Sequence, residues 1–262
     1  MRTIDKYLHA LGLQRCNPSL AFLSNITRRH VAEFAFSSIG PLLGDKLPLD
    51  IEALVQRIIV RRRGGYCFEQ NGLMFEVLKE LGFSVSLYLA RVIYNQDIHP
   101  GLTHRISLVE IEGTRYVVDV GFGPLGPALP VNLSGELCQD TYRVFRIDEY
   151  AGGDLHMQTL KDGEFFSLYR FELTRYGQAD CELGHFYSHR HPSATFVNHL
   201  VVSKIMDREV LSLRNHEFHI ITESGQKSRR IEDPLQLEVI LNTEFGISVT
   251  RAECRQLFSK VG

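Results

Sequence analysis

Arg63-Gly64-Gly65-Tyr66-Cys67-Phe68-Glu69-Gln70-Asn71 is the stretch around which the chain is organised. Two glycines halt whatever precedes them, and Gly72 to Leu81 reads as an amphipathic helix ended by Gly82. Cys67 therefore stands at or near a helix N-terminus, where unpaired backbone N–H groups favour negative charge. A thiol in that place ionises more easily, and the thiolate is the nucleophile. Gly64 and Gly65 reach backbone angles closed to other residues and leave room for a substrate. The plainer reading makes Cys67 a core residue, because most free cysteines are buried and inert. On a helical count Cys67, Asn71, Met74, Leu78 and Leu81 share one face, the one expected to be buried. The choice turns on whether the chain supplies a base and a carboxylate to orient it.

Composition narrows the options. The 262 residues allow one large domain or two to three small ones, and 44% apolar with 23% charged residues suits a soluble protein with a real core. A net charge of −2 gives no sign of a nucleic-acid or membrane partner. No apolar run is long enough to span a bilayer, and the N-terminus lacks the apolar segment of a secretory signal. Cys16, Cys67, Cys138, Cys181 and Cys254 are scattered and odd in number. That pattern argues against a disulfide framework and for a reducing, cytoplasmic setting.

Working outward, residues 4–81 read as mostly helical. The expected helices are Asp5–Leu11, Ser19 toward Phe36 after Asn17-Pro18, and Ile51–Val60 after Pro48-Leu49-Asp50. Arg61-Arg62-Arg63 is a cationic helix end rather than a nucleic-acid site. After Gly82 the period changes to alternation, with strands at Ser84–Val92, Thr103–Ile111, Arg115–Val120, Thr141–Ile147, Leu155–Leu160 and Glu164–Phe171. This middle third reads as an antiparallel sheet or barrel. His185 to Pro192 reads as a loop-like joint. Strands follow at Leu200–Lys204, Arg208–Leu213 and His216–Thr222, then a helix from Pro234 to Asn242. The architecture is α+β: a helical bundle, a β domain and a small α/β domain.

A base is available on the hairpin. If Glu112-Gly113 are its turn residues, Asp119 lies opposite Ile106, and His104 is two residues along on the same face. Taken alone, His104 is an ordinary polar strand residue. Asp119 is less ordinary, since a carboxylate between Val117-Val118 and Val120 needs a partner. The turn that follows, Gly121-Phe122-Gly123-Pro124-Leu125-Gly126, has neither Walker nor G-x-G-x-x-G spacing. Its place directly after Asp119 is the reason to keep it. His185, His189, His191 and His199 cluster, but their spacing matches no zinc pattern.

The Arg63–Asn71 stretch, Thr103-His104-Arg105 and Val118-Asp119-Val120-Gly121-Phe122-Gly123 together resemble the three motifs of the arylamine N-acetyltransferases, in order and in spacing. His191–Phe196 and Phe245-Gly246-Ile247 resemble later family segments. The resemblance implies a helical bundle over 1–82, a β-barrel over 83–185, an interdomain segment over 186–199 and an α/β lid over 200–262. Its catalytic core would be of the cysteine-protease and transglutaminase type. It implies acetyl-coenzyme A as donor, no metal, and an arylamine, hydrazine or N-hydroxyarylamine as acceptor. Carried over, Cys67 is the acetylated nucleophile, His104 the base and Asp119 the orienting carboxylate. Phe36, Phe122 and Phe196 would line the acceptor pocket, and Thr103, Gly123 and Gly126 would lie near the coenzyme. One departure stands out: many relatives carry Pro-Phe-Glu-Asn-Leu where this chain has Ala35-Phe36-Ser37-Ser38-Ile39. Ser37 replaces the acid, so Arg63 needs another partner, with Glu69 the candidate. An amidase, protease or amide synthase on the same scaffold is the competing expectation.

Overall fold

The structure, a computed structural model, describes residues 3–140, 142–150 and 152–261. Capping starts the helices where the sequence places polar residues. Helix α1 (Thr3–Ala10) precedes α2 (Leu20–Glu33), which opens on Ser19 as its Oγ accepts the Phe22 amide at 3.2 Å. This second helix stops short of Phe36 because Phe34 leaves helical angles (φ −107°, ψ 109°) and the chain extends into strand β1 (Phe36–Ser37). A short α3 (Ile39–Leu43) follows. Helix α4 (Ile51–Leu54) is capped by Asp50, which accepts the Ala53 amide at 2.9 Å. The expected single helix to Val60 instead widens into a π-helical turn over Val55–Val60, which buries Val55 and Ile58. Helix α5 (Cys67–Glu80) begins on the cysteine itself.

His30 shows how these helices lock together. Its Nε2 donates to Gln70 Oε1 at 2.8 Å, and its Nδ1 lies 2.9 Å from the Tyr7 hydroxyl. Burial lowers its pKa to about 4, against the pull of the Gln70 hydrogen bond. Between pH 6.5 and 4 the unfolded chain therefore holds the extra proton and the folded chain does not. Stability rises with pH across that window and is lost as pH falls through it. The loss at this one histidine is about 3 kcal/mol at most. Thermal melts from pH 7 to 4.5 should show a falling midpoint, and His30→Gln should flatten the slope. A slope unchanged in that variant would rule His30 out as its source.

Past Gly82 the sheet strands are β2 (Ser84–Val92), β3 (His104–Ile111), β4 (Thr114–Val118), β5 (Val131–Asn132), β6 (Cys138–Asp140), β7 (Arg143–Glu149), β8 (Leu155–Lys161) and β9 (Glu164–Phe171). They form one antiparallel sheet in the order β5-β4-β3-β2-β9-β8-β7-β6, and it curls until β5 touches β7, a nearly closed barrel. Its interior is filled by residues such as Ile106, Val117, Phe145, Met157 and Leu168. Glu112 and Gly113 both take positive φ (50° and 79°), so the β3–β4 turn falls where expected and Ser107 pairs with Val118. The strand expected from Thr141 begins at Arg143; Thr141 itself lies outside the described residues.

The expected joint at 185–192 is mostly helix: α6 runs Gln178–Arg190, and a short α7 spans Thr195–Asn198. Its inward positions, Cys181, Gly184, His185, Ser188 and His189, recur with helical period but are small or polar. Leu183 and Phe186 face outward. An apolar-periodicity test misses such a helix. The expected boundary at 185 falls inside α6.

The last strands, β10 (Val201–Ile205), β11 (Glu209–Arg214), β12 (Glu217–Thr222) and β13 (Gly225–Arg230), form a second antiparallel sheet that β1 joins at its edge. Phe36 pairs with Ser203 and Ser37 with Val202. Ser38 fastens the same seam: its Oγ donates to the His199 carbonyl and accepts the Val201 amide, both at 2.8 Å. Helices α8 (Pro234–Thr243) and α9 (Arg251–Lys260) pack on this sheet. Sequence reasoning missed β13, an exposed polar edge strand, and α9. The Thr250…Glu253 capping box was the legible sign of α9.

Candidate active site

Three elements converge on Cys67. Helix α5 supplies it as its first residue, 3% exposed, with Sγ 3.5 Å from the Thr103 carbonyl oxygen. Strand β3 starts with His104, whose Nε2 donates to Asp119 Oδ2 at 2.7 Å. Asp119 lies one residue beyond β4 rather than inside it. Its Oδ1 accepts the Asn71 Nδ2 at 2.8 Å and the Gly121 amide at 3.0 Å. Burial pushes the Asp119 carboxyl up. The adjacent His104, the Asn71 side chain and the Gly121 amide outweigh that and hold it below the ordinary range.

Asn71 is the residue that sequence reasoning left as mere packing. One turn along α5 from Cys67, its Nδ2 also reaches the Arg105 carbonyl at 2.6 Å, and its Oδ1 accepts the Val120 amide at 2.9 Å. It ties the helix to strand β3, which carries His104, and to the segment just after β4, which carries Asp119. Tyr169 from β9 packs its ring 4.9 Å from His104 and 5.3 Å from Phe122. No sequence signal marked it, because its strand is forty residues or more from either motif.

The expectation of an easily ionised thiol meets opposition here. Burial first, and the Asp119 charge second, push Cys67 up, while hydrogen bonds from the Arg105 and Phe68 backbone pull it down. A buried thiol of this kind does not shed its proton to water. It needs a nearby base whose cation is itself stabilised. With Nε2 held by Asp119, Nδ1 is the His104 nitrogen left for that purpose.

Cys67 and His104 open onto one cavity of about 530 Å³. Phe36, Phe122, Phe196 and Thr103 all line it. Gly123 and Gly126 do not; they frame the turn whose Pro124 and Leu125 do, with Gly123 at φ 90° and its carbonyl accepting the Gly126 amide at 3.1 Å. Arg143 braces that turn by donating to the Pro124 carbonyl at 3.1 Å while pairing with Asp140.

The partner of Arg63 is not Glu69. Arg63 pairs with Glu253 on α9 at 2.7 Å and donates to the Ser248 carbonyl. Glu69 is taken by Arg57 at 2.8 Å, and its Oε2 accepts the Tyr66 amide at 3.2 Å. The π-helical turn carries Arg57 to that position. Ser37 is too short to reach a guanidinium, and its Oγ instead accepts the Ile39 amide at 3.2 Å.

The histidines of the joint have protein partners. His185 Nδ1 meets the Tyr66 hydroxyl and its Nε2 the Leu47 carbonyl; His189 Nδ1 meets the His185 carbonyl; His191 meets Ser193 and His199 meets Asn215. Among the described residues no group of three or more His, Cys, Asp or Glu is placed to hold a metal. None of their helices is long and apolar enough to cross a membrane.

A family model described as N-acetyltransferase matches residues 19–254. The arylamine N-acetyltransferase of Escherichia coli K12 is 34% identical over 232 residues, covering 86% of this chain and 81% of the relative. The chain belongs to the arylamine N-acetyltransferase family. It is an acyltransferase of that family. The Mycolicibacterium smegmatis arylamine N-acetyltransferase is 33% identical, covering 97% of this chain and 95% of its own. The solved Mycobacterium marinum arylamine N-acetyltransferase superposes with a TM-score of 0.93 at 29% identity, over 99% of this chain and all of the other. A second structure of that same protein is a complex with CoA. The arylamine N-acetyltransferase of Salmonella typhimurium, also named an N-hydroxyarylamine O-acetyltransferase, is 31% identical over 88% of this chain and 84% of its own.

Proposed function

We propose that this protein transfers an acetyl group from acetyl-coenzyme A to the nitrogen of an arylamine or hydrazine, through an acetyl-Cys67 intermediate. The observation that carries the reading is the 2.7 Å His104–Asp119 hydrogen bond beside a cavity that His104 and Cys67 share. His104 Nδ1 takes the thiol proton, and Asp119 stabilises the imidazolium. The thiolate attacks the thioester carbonyl, and backbone N–H groups at the first turn of α5 hold the oxyanion. Collapse of that intermediate expels coenzyme A, which leaves with the proton. The amine then attacks acetyl-Cys67, His104 accepts its proton, and the thiolate is restored. Such a cycle is ping-pong. Oxygen of an N-hydroxyarylamine is a second acceptor compatible with the same cavity.

The cysteine at a helix start facing His and Asp from a sheet is the arrangement we read as a cysteine-protease and transglutaminase type core. We assign 1–82 to a helical bundle, the barrel to 83–177, α6 and α7 to the interdomain segment, and 200–262 to an α/β lid. Thr103, Gly123 and Gly126 are assigned to the coenzyme side, and Phe36, Phe122 and Phe196 to the acceptor. The five free cysteines fit a cytoplasmic setting.

Brief exposure to acetyl-coenzyme A without acceptor, followed by intact-mass and peptide mass spectrometry, tests the intermediate. We expect one acetyl adduct on Cys67, absent in Cys67→Ala and discharged by an aromatic amine. No adduct on a thiol that iodoacetamide still alkylates would move the assignment to an amidase or amide synthase.

A further inference from the structure

Beside the first turn of α5, outside the cavity, lies a buried ion pair that the acetyl-transfer scheme does not use. Glu69 is fully buried, and its Oε1 is 2.8 Å from Arg57 Nε. Arg57 also reaches Asp45 Oδ2 at 3.2 Å, and its own carbonyl accepts the Arg63 amide at 3.0 Å. Three local features seat the pair. The π-helical turn, in which the Arg61 amide reaches back five residues to the Gln56 carbonyl, carries Arg57. A Cβ at Gly40 would overlap Arg57 Nη2, and a Cβ at Gly65 would stand 2.9 Å from Glu69 Cβ. Yet Arg57 Nη2 is buried with no hydrogen-bond partner among the described residues. An imperfectly satisfied buried pair adds little stability, so its use lies elsewhere. Arg57 lines a second cleft, of about 680 Å³, which shares no lining residue with the cavity that Cys67 opens onto. It therefore acts on the chemistry only through another residue.

We propose that Arg57 is a positioning residue for Cys67: by fixing Glu69, it holds the first turn of α5 where the thiol meets His104. This rests on the acetyl-transfer reading. Glu69 is the third residue of the helix, and its Oε2 accepts the Tyr66 amide at 3.2 Å, capping the residue that precedes Cys67. The Tyr66 carbonyl accepts the Glu69 amide at 3.0 Å. Tyr66 is thus tied to Glu69 through both its backbone groups. A buried carboxylate with no cation beside it takes up a proton or turns toward water. Its hold on the Tyr66 amide then weakens, because the charge-assisted bond is the stronger one. Burial already raises the Glu69 carboxyl to about 7, and Arg57 is the largest influence against that. After burial, Asp119 and Glu69 are the charges that oppose a thiolate at Cys67. Each has a partner: Asp119 faces His104, and Glu69 faces Arg57.

The test is the single-turnover rate of Cys67 acetylation against acetyl-coenzyme A concentration, with a thermal melt of each variant. It compares the wild type, Arg57→Met, Arg57→Lys, Glu69→Gln and the double variant Arg57→Met/Glu69→Gln. Arg57→Met is expected to lower the saturating rate about tenfold and to leave the half-saturating concentration within about twofold, because a misplaced nucleophile slows the step without weakening donor binding. Arg57→Lys recovers part of the loss. The double variant is expected to be no slower than Arg57→Met, because the two residues act as one unit. A saturating rate within about twofold of wild type in Arg57→Met overturns the inference, whatever the melt shows. So do losses that multiply in the double variant, or a loss carried wholly by the half-saturating concentration. If Arg57→Met does not fold, Glu69→Gln is judged by the same rate criterion. If the wild type forms no acetyl-Cys67, acetyl transfer itself fails and this role falls with it. An unaffected Arg57→Met beside a normally acetylated wild type removes Arg57 alone.

Discussion

Asp119→Asn lowers kcat/KM for acetyl transfer by roughly 10³–10⁴-fold. Three N–H groups donate to this carboxylate: His104 Nε2 on Oδ2, and Asn71 Nδ2 and the Gly121 amide on Oδ1. An asparagine replaces one of the two acceptor oxygens with an NH2. If that NH2 faces His104, the imidazole must offer Nε2 as acceptor, and its proton moves to Nδ1. Nδ1 then has no room for the Cys67 proton. If the amide turns over, its NH2 opposes Asn71 and Gly121, and two buried donors lose their acceptor. Either orientation also removes the negative charge that stabilises an imidazolium. Steady-state kinetics, with circular dichroism to confirm folding, measure the effect. Turnover close to wild type would take Asp119 out of the mechanism.

Gly121→Ala has the second largest expected effect, and its cause is steric. A Cβ at Gly121 would stand 2.8 Å from the Cys67 Cα, 2.8 Å from Asn71 Nδ2 and 3.1 Å from the Cys67 carbonyl oxygen. Two of these atoms are helix backbone and cannot swing aside. The third belongs to the side chain that holds α5 against β3. Relief therefore means moving Cys67 relative to His104 and Asp119 by a sizeable fraction of an ångström. Errors of that size in a reacting group cost about 100-fold, so a loss of at least about 100-fold in kcat/KM is expected. Gly101→Ala is the comparison, because its Cβ would meet nothing nearer than the Thr103 methyl at 3.6 Å. It should stay within about twofold of wild type, since that contact is an ordinary one. Equal rates for the two variants would show that the Gly121 contact is relieved without disturbing the nucleophile.

The residues to which we assign the chemistry were readable in the sequence because each sits where local rules are strong. A Gly-Gly pair before a helix places Cys67, and a two-residue turn at Glu112-Gly113 sets the register that brings His104 and Asp119 to one side. Residues whose roles depend on distant contacts were not readable. Asn71 has three partners, one on β3 and two just beyond β4, and Arg63 finds Glu253 across 190 residues. Helix α6 was missed for a different reason: its buried stripe is histidine, serine, glycine and cysteine, so burial and hydrophobicity part company. Strand β13 was missed because it is polar and exposed along its whole length, which leaves no alternation to read. Thiol acidity was misjudged because the helix-terminus argument counts favourable dipoles and ignores desolvation, which is the larger influence on Cys67.

The seam at Ser38 has a consequence for how the enzyme comes into being. Its partners lie 161 and 163 residues further along the chain. Phe36, fixed by the same strand pairing, is a wall of the cavity into which Cys67 opens. During synthesis the helix that begins on Cys67 therefore emerges long before the strand that closes the cavity. Contacts of such long range form late and slowly. A ribosome that stalls at any point before about residue 200 releases a thiol without the chamber that would make it reactive toward a thioester. On the proposed mechanism, acetyl transfer would therefore require the last quarter of the polypeptide.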